Sequence, residues 1–305
     1  MQLRLLRYFT TLAREGHFAR AADICGVTQP TLSAGIAAIE NQFGKRLVIR
    51  DRRYVGLTSA GKALLPWAQQ MLAAYDGMAH AVEAEKGPLS GEIRFGVIPA
   101  ALPLIGPLCK MLLSSHPRMV PLVTSMTSRE IERGLATYEL DAGVTYLSSD
   151  PHGPILDIPI YAERYMFITA LGSAYDRGDD ISWDAAVVAP LCLLHQGMQN
   201  RRILNARVAA LNLALSPRAI ADNYVTLLTM VRSAGLCSII PDSYLSLMKG
   251  AEWMRVLPFD AAQEPNRIGL IVPSRTPMTA LAEAAVIAAR AVAASGLMIE
   301  GLYQP

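Results

Sequence analysis

The chain has 305 residues, 52% of them hydrophobic and only 18% charged. That is enough apolar material for two or three domains with real cores, and too little charge for long disordered tails. No apolar stretch follows the three arginines of the first fourteen residues, and no apolar run, Val187–Leu194 included, is long enough to span a bilayer, so a soluble, cytoplasmic chain without membrane partners is expected. The net charge of +2 hides an asymmetry: residues 1–60 carry nine basic and four acidic groups, the remainder 19 basic and 22 acidic. A basic head on an acidic body points to a polyanionic partner for the head alone. Cys25, Cys109, Cys192 and Cys237 are scattered with no C-x-x-C pair, so neither a metal, a disulfide nor a cofactor is expected, and the thiols read as small buried apolar groups.

Leu6, Phe9, Leu12 and Ala13 recur at helical spacing and Gly16 ends their helix. A short helix follows over Phe18–Cys25, with Ala21, Ala22 and Ile24 turned inward, then a tight turn at Gly26-Val27. Thr28 is placed to cap a third helix that opens with Gln29-Pro30, where proline is harmless, and continues the inward stripe through Leu32, Ile36, Ile39 and Phe43. Two helices joined by a short glycine turn fit a helix-turn-helix, whose second helix offers its first side chains to base edges. Gln29, Thr31 and Ser33, beside Pro30 and Ala34, are the groups so placed, and Gln can pair bidentately with adenine. Arg50, Arg52 and Arg53 precede a short strand at Tyr54–Leu57 and read as a basic wing on phosphates. A helical hairpin with a solvated charge run is the plainer alternative for this segment alone.

The run F-x-x-L-A-x-x-G-x-F-x-x-A-A (Phe9 to Ala22), then Val27-Thr28-Gln29-Pro30-Thr31-Leu32-Ser33, Ile39-Glu40, Gly44, Leu47, Arg50 and Leu57-Thr58-x-x-Gly61, resembles the LysR-type transcriptional regulators over residues 3–65. The resemblance implies a winged helix-turn-helix over residues 1–58, a dimerisation helix over 59–88, and an effector-binding domain over 89–305. It departs from the family at His17-Phe18-Ala19, where a hydroxyl cap on the second helix is missing at a cost of about 1 kcal/mol, at Val48 in place of a phenylalanine, and at Ala34-Gly35, where many relatives carry a polar reader. Gly35 is then expected to allow close backbone approach.

Leu64, Ala68, Met71, Tyr75, Met78 and Val82 form an a/d seam on one long helix, capped by Thr58, stopped by Gly87-Pro88 and bent by Pro66. A helix this long cannot bury its seam against sixty residues, so the seam is expected to meet a second subunit. The alternative is a seam packed on its own body.

From Gly91 the pattern turns to alternating strands and helices: strand Glu92–Ile98, helix Leu102–His116, strand Pro121–Ser125, helix Ser128–Thr137 and strand Asp141–Tyr146. A second series has strands at Tyr165–Ala170, Leu191–Leu194 and Pro217–Ala221, with helices Gln199–Ala210 and Tyr224–Ala234. Strand Arg267–Pro273 and helix Pro277–Ala294 close the chain. Such repeats imply an α/β fold with a largely parallel sheet and ligands at the strand ends. Lobe I (about 91–161 and 268–305) and lobe II (about 162–267) make a clamshell like that of periplasmic binding proteins, the arrangement of the LysR-type family. Pro99, Ala100, Thr127, Ser128 and Tyr146 are the cleft candidates from lobe I; His195, Gln196, Gln199 and Asn223 are those from lobe II. Ser128 and Asn223 serve equally well as plain helix caps, since caps and anion sites use the same groups.

The segment Leu191–His195 with Met198–Arg202 resembles regulators found beside formate dehydrogenase operons, which implies formate or another small carboxylate as effector. Thiol-based peroxide sensing is disfavoured, because His195–Arg202 holds no cysteine and Cys192 sits in an apolar strand; oxidation of Met126 or Met198 stays as a minor alternative. An enzyme is the rival class, but no G-x-S-x-G, phosphate loop or metal spacing occurs; a transport binding protein would need an export signal. The expected partners are a two-fold DNA operator, a small anionic effector, further copies of the chain in a homodimer or homotetramer, and RNA polymerase.

Overall fold

The computed structural model describes residues 2–50, 54–85, 87–147 and 154–296, and it divides into two units, Met1–Gly87 and Pro88–Pro305.

In the first unit α1 (Leu3–Glu15), α2 (Phe18–Ile24) and α3 (Gln29–Phe43) enclose Leu6, Phe9, Leu12, Ala21, Leu32, Ile36 and Ile39, as their spacing requires. Two of the residues expected inside are exposed, Ile24 at 55% and Phe43 at 45%. Each is the last residue of its helix, where the chain turns away before another element can cover it. The α2 start is not uncapped: His17 Nδ1 accepts from Arg20 N at 3.5 Å, a long bond that stands in for the missing hydroxyl. Strands β1 (Val48–Arg50) and β2 (Tyr54–Leu57) pair antiparallel, while Asp51, Arg52 and Arg53, the tip of the expected wing, lie outside the described residues. Val48 is buried despite its small size. The buried Glu40 carboxylate accepts from Leu47 N (2.9 Å) and Val48 N (3.2 Å), which fastens α3 to β1.

Helix α4 (Ser59–Ala84) starts at Thr58, whose Oγ1 accepts from Gly61 N at 3.0 Å. A Cβ on Gly61 would stand 2.1 Å from Leu47 O, so only glycine lets α4 start this close to β1. Pro66 lies inside α4 without ending it. The apolar seam divides: Leu64 and Ala68 join the core of their own unit, with Leu72 beside them, whereas Met71, Tyr75, Met78 and Val82 are exposed.

The second unit runs β3 (Ser90–Val97), a 3-10 turn at Pro99–Ala101, α5 (Leu102–Ser115), β4 (Arg118–Ser125), α6 (Ser128–Ala136), β5 (Ala142–Tyr146), β6 (Ile155–Glu163), β7 (Tyr165–Ala170), α7 (Trp183–Val187), β8 (Cys192–Leu194), α8 (Gln199–Ala210), β9 (Ala219–Ala221), α9 (Tyr224–Ala234), β10 (Ser238–Pro241), a second 3-10 turn at Asp242–Met248, β11 (Met254–Pro258), β12 (Asn266–Pro273) and α10 (Ala280–Ser295). A five-stranded sheet has the order β4-β3-β5-β12-β6 and a three-stranded one the order β10-β7-β11, with β8 paired to β9.

The expected parallel arrangement holds for β3 with β4 and β5, and for β8 with β9. It fails elsewhere: β12 returns antiparallel to both β5 and β6, and β7 is antiparallel to β10 and β11. The cause is the path, because a strand re-entering a sheet after a long excursion is not bound by the βαβ crossover that enforces parallel pairing. One apolar cluster joins residues of the five- and three-stranded sheets, among them Ile93, Val144 and Leu270 with Ile168 and Ile240, and takes in Cys192 of β8; a second fills the far side of β7 around Tyr165, Phe167, Trp183 and Phe259.

Candidate functional site

In the second unit the carboxyl ends of β3, β5 and β8 and the amino ends of α6 and α8 converge on one cleft. Ile98, Pro99, Ala100, Thr127, Ser128, Tyr146, Leu194, Met198, Gln199 and Asn200 line one narrow cleft that is partly open to solvent. Six of the nine residues singled out from strand and helix ends therefore share one cavity: Pro99, Ala100, Thr127, Ser128, Tyr146 and Gln199.

The other three do not reach the lining. Asn223 is spent on its own helix, its Oδ1 accepting from Thr226 N at 2.8 Å as the cap of α9. His195 turns back into its loop, where Nδ1 accepts from Gly197 N at 3.1 Å, and Gln196 is exposed. Thr127 lines the cleft, but its hydroxyl serves a capping box with Glu130, donating to Oε2 (2.8 Å) and accepting from Glu130 N (3.3 Å). These bonds hold the Glu130 carboxyl below its usual range. Ser128 differs. It is buried, its Oγ accepts from Thr145 Oγ1 at 2.9 Å, and its own proton stays available to the cleft, beside the first amides of α6 that no helical carbonyl can satisfy.

Sequence reasoning missed Ile98, Leu194 and Asn200 and knew Met198 only as an oxidisable group. The missing signal was the rotation of α8. Its first turn is anchored by the buried Arg201, whose Nη1 donates to Leu194 O (3.0 Å) and Nε to Asn205 Oδ1 (2.9 Å); this aims Gln199 and Asn200 at the cleft. Arg202 Nη2 donates to Gln199 Oε1. Asn200 Nδ2 donates to the Tyr146 hydroxyl at 2.7 Å, and that hydroxyl donates to Glu163 Oε1 at 2.8 Å. Glu163 is fully buried, and burial pushes its carboxyl up to about 8. Burial, reinforced by Glu163, lifts the Tyr146 phenol well above its usual 10.

In the first unit, the groups expected to read bases sit at the start of α3. Gln29, Pro30, Thr31 and Ala34 are exposed and Ser33 is half-buried. Thr28 caps α3, its Oγ1 accepting from Thr31 N (3.3 Å) and bonding Thr31 Oγ1 (2.8 Å), so Thr31 is oriented by its neighbour. Gly35 faces inward: a Cβ there would lie 2.5 Å from the Tyr8 ring, so this glycine serves helix packing rather than the backbone approach to DNA expected of it. No group of three or more potential metal ligands occurs among the described residues, and none of their helices is long and apolar enough to cross a membrane.

Residues 3–62 match the family model described as "Bacterial regulatory helix-turn-helix protein, lysR family", and residues 86–294 match that of the LysR substrate binding domain. A "Probable hydrogen peroxide-inducible genes activator" of Mycobacterium leprae is 34% identical over 195 residues, 63% of this chain and 62% of that protein, which is less than two thirds of its length. A protein of the same description from Mycobacterium avium is 29% identical over 274 residues, 88% of this chain and 87% of the other. Among solved structures, a full-length OxyR variant from Pseudomonas aeruginosa superposes with a TM-score of 0.76 at 25% identity, covering 95% of both chains. CbnR in complex with its target DNA gives 0.68 at 19% identity, over 96% of this chain and 100% of that one, a likeness of fold.

Proposed function

The chain belongs to the LysR-type family of transcription regulators, with a DNA-binding head and an effector-binding domain, and on that premise we propose that a small carboxylate bound in the Ser128–Tyr146 cleft switches it. The observation that carries this reading is the meeting of two helix amino ends, α6 and α8, with the Ser128 hydroxyl in one narrow cleft. Unsatisfied amides and the positive end of the helix dipole favour an anion. Formate enters as a candidate through the Leu191–Arg202 resemblance. The ligand must bind one arrangement of the domain better than another for the switch to work.

The head reads DNA through Gln29, Thr31 and Ser33, aided by phosphate contacts from Arg50, Arg52 and Arg53. The exposed half of the α4 seam meets its twin, which gives the two-fold symmetry of a palindromic site. RNA polymerase is the downstream partner in this scheme. A second reading, oxidant sensing, draws on the names of the mycobacterial relatives. In this chain it runs through Met198 on the cleft wall, because Cys192 and Cys237 are both buried and burial pushes Cys192 up to about 11, leaving little thiolate to attack a peroxide.

The test is a thermal-shift screen of the full chain against small carboxylates, formate among them, and against hydrogen peroxide. A concentration-dependent rise with one acid that is lost in Ser128→Ala is the expected result. No rise with any acid, together with DNA binding that changes after peroxide and not in Met198→Leu, overturns it in favour of the second reading.

A further inference from the structure

Behind the cleft, Glu163 ends β6 where the chain leaves the five-stranded sheet for β7. Its carboxyl is wholly buried, and no ion pair reaches it among the described residues. The groups that face it are Tyr146 from β5, Tyr161 from β6, Tyr165 from β7, Tyr224 from α9, and Asp242, Ser243 and Tyr244 from the 3-10 turn after β10. The one charged neighbour is thus another acid. Arg164, next in the chain, acts on Asp242 instead, their backbones also joined by Asp242 N to Arg164 O at 2.9 Å.

Two hydrogen-bond paths leave the carboxyl, and both end on the cleft wall. Oε1 accepts from Tyr146, which accepts from Asn200. On the other side, Ser243 Oγ lies 3.4 Å from Glu163 Oε2 and equally 3.4 Å from the carbonyl oxygen of Ala100. One hydroxyl proton cannot serve both acceptors fully. A protonated carboxyl can donate to Ser243 Oγ and leave the serine proton for Ala100; an ionised one is acceptor-only and claims that proton for itself.

We propose that Glu163 is the positioning residue of this cleft, tying the Tyr146–Asn200 wall to the Ala100 wall through one carboxyl, and that gain or loss of its proton redirects the Ser243 hydroxyl and with it the Pro99–Ala101 turn. The same turn is held by Tyr244, whose hydroxyl donates to Pro99 O at 2.5 Å, so the whole turn hangs on the element beside Glu163. Burial without a cation keeps the carboxyl protonated at neutral pH, and ionisation belongs to the alkaline side, near 8. An anion in the cleft opposes that ionisation, so its affinity falls as pH rises through this range; this part rests on the effector reading above.

The experiment needs no effector. Hydrogen exchange of the full chain is followed by mass spectrometry at pH 7 and pH 9, with intrinsic rates corrected. Peptides covering Ile98–Leu104 are expected to lose protection several-fold at the higher pH, while peptides of α3, in the other unit, do not change. Glu163→Gln, which keeps both hydrogen bonds without a titratable proton, is expected to remove the pH response, and Ser243→Ala to remove it while leaving the fold intact by circular dichroism. Equal protection at both pH values in the parent chain, or a loss that persists in Glu163→Gln, overturns the proposal. An acid-induced thermal shift that is unaffected by pH and by Glu163→Gln sinks it too, and leaves the effector reading standing.

Discussion

A fully buried carboxyl without a cation leaves its mark on stability as well as on the cleft. Glu163 is raised from 4.5 to about 8 and Asp242 from 3.8 to about 6, burial being the first cause of both. Each holds a proton in the folded chain over a range where the unfolded chain has released it. Stability contributed by these protons is therefore present below the unfolded values and lost as pH rises from about 4 to about 8. The melting temperature of the parent chain should fall relative to that of Glu163→Gln across this window; parallel curves would show that Glu163 ionises in the folded chain as it does in water. At this scale the sequence was half legible. Ser128 and Tyr146 could be found because they stand at a helix start and a strand end, positions that local pattern reveals. Glu163 and Asn200 could not, because an acid closing an irregular strand and an amide in the first turn of a helix look solvated until the tertiary path buries them.

Helix α4 shows the same division between local pattern and context. Its seam was legible as a period, but the period alone does not say which half meets the chain's own core. Leu64 and Ala68 do, and Met71, Tyr75, Met78 (62% exposed) and Val82 (63%) stay open to water. Apolar side chains repeated on one exposed face are stabilised when a second helix covers them. Met78→Glu with Val82→Glu should shift the chain from dimer to monomer in analytical ultracentrifugation while circular dichroism stays unchanged; a dimer that survives places the contact elsewhere. Among the strands that sequence reasoning did not see, β10 and β6 escaped for different reasons. β10 is a four-residue run buried throughout, which gives no alternation to detect. β6 carries Pro159 near a register shift against β12, which interrupts the alternation that would have marked it.

The whole molecule is two units with separate cores. The head is closed by Leu6, Phe9, Leu32 and their neighbours, and the apolar cluster behind the cleft is shared by both sheets of the second unit. Residues that share one core unfold together, so calorimetry should resolve two transitions, a smaller one for the head and a single larger one for everything after Gly87. An effector should move only the larger; three transitions, or a shift of the smaller one, would mean that the two sheets or the two units are coupled otherwise than their cores imply. The boundary at Gly87 also bears on how such a chain can change. A crossover between two genes at that codon splits no core, so a head that already knows its operator can inherit a new sensor in one recombination event. Selection can then change which metabolite a promoter obeys without having to invent the recognition of that promoter again.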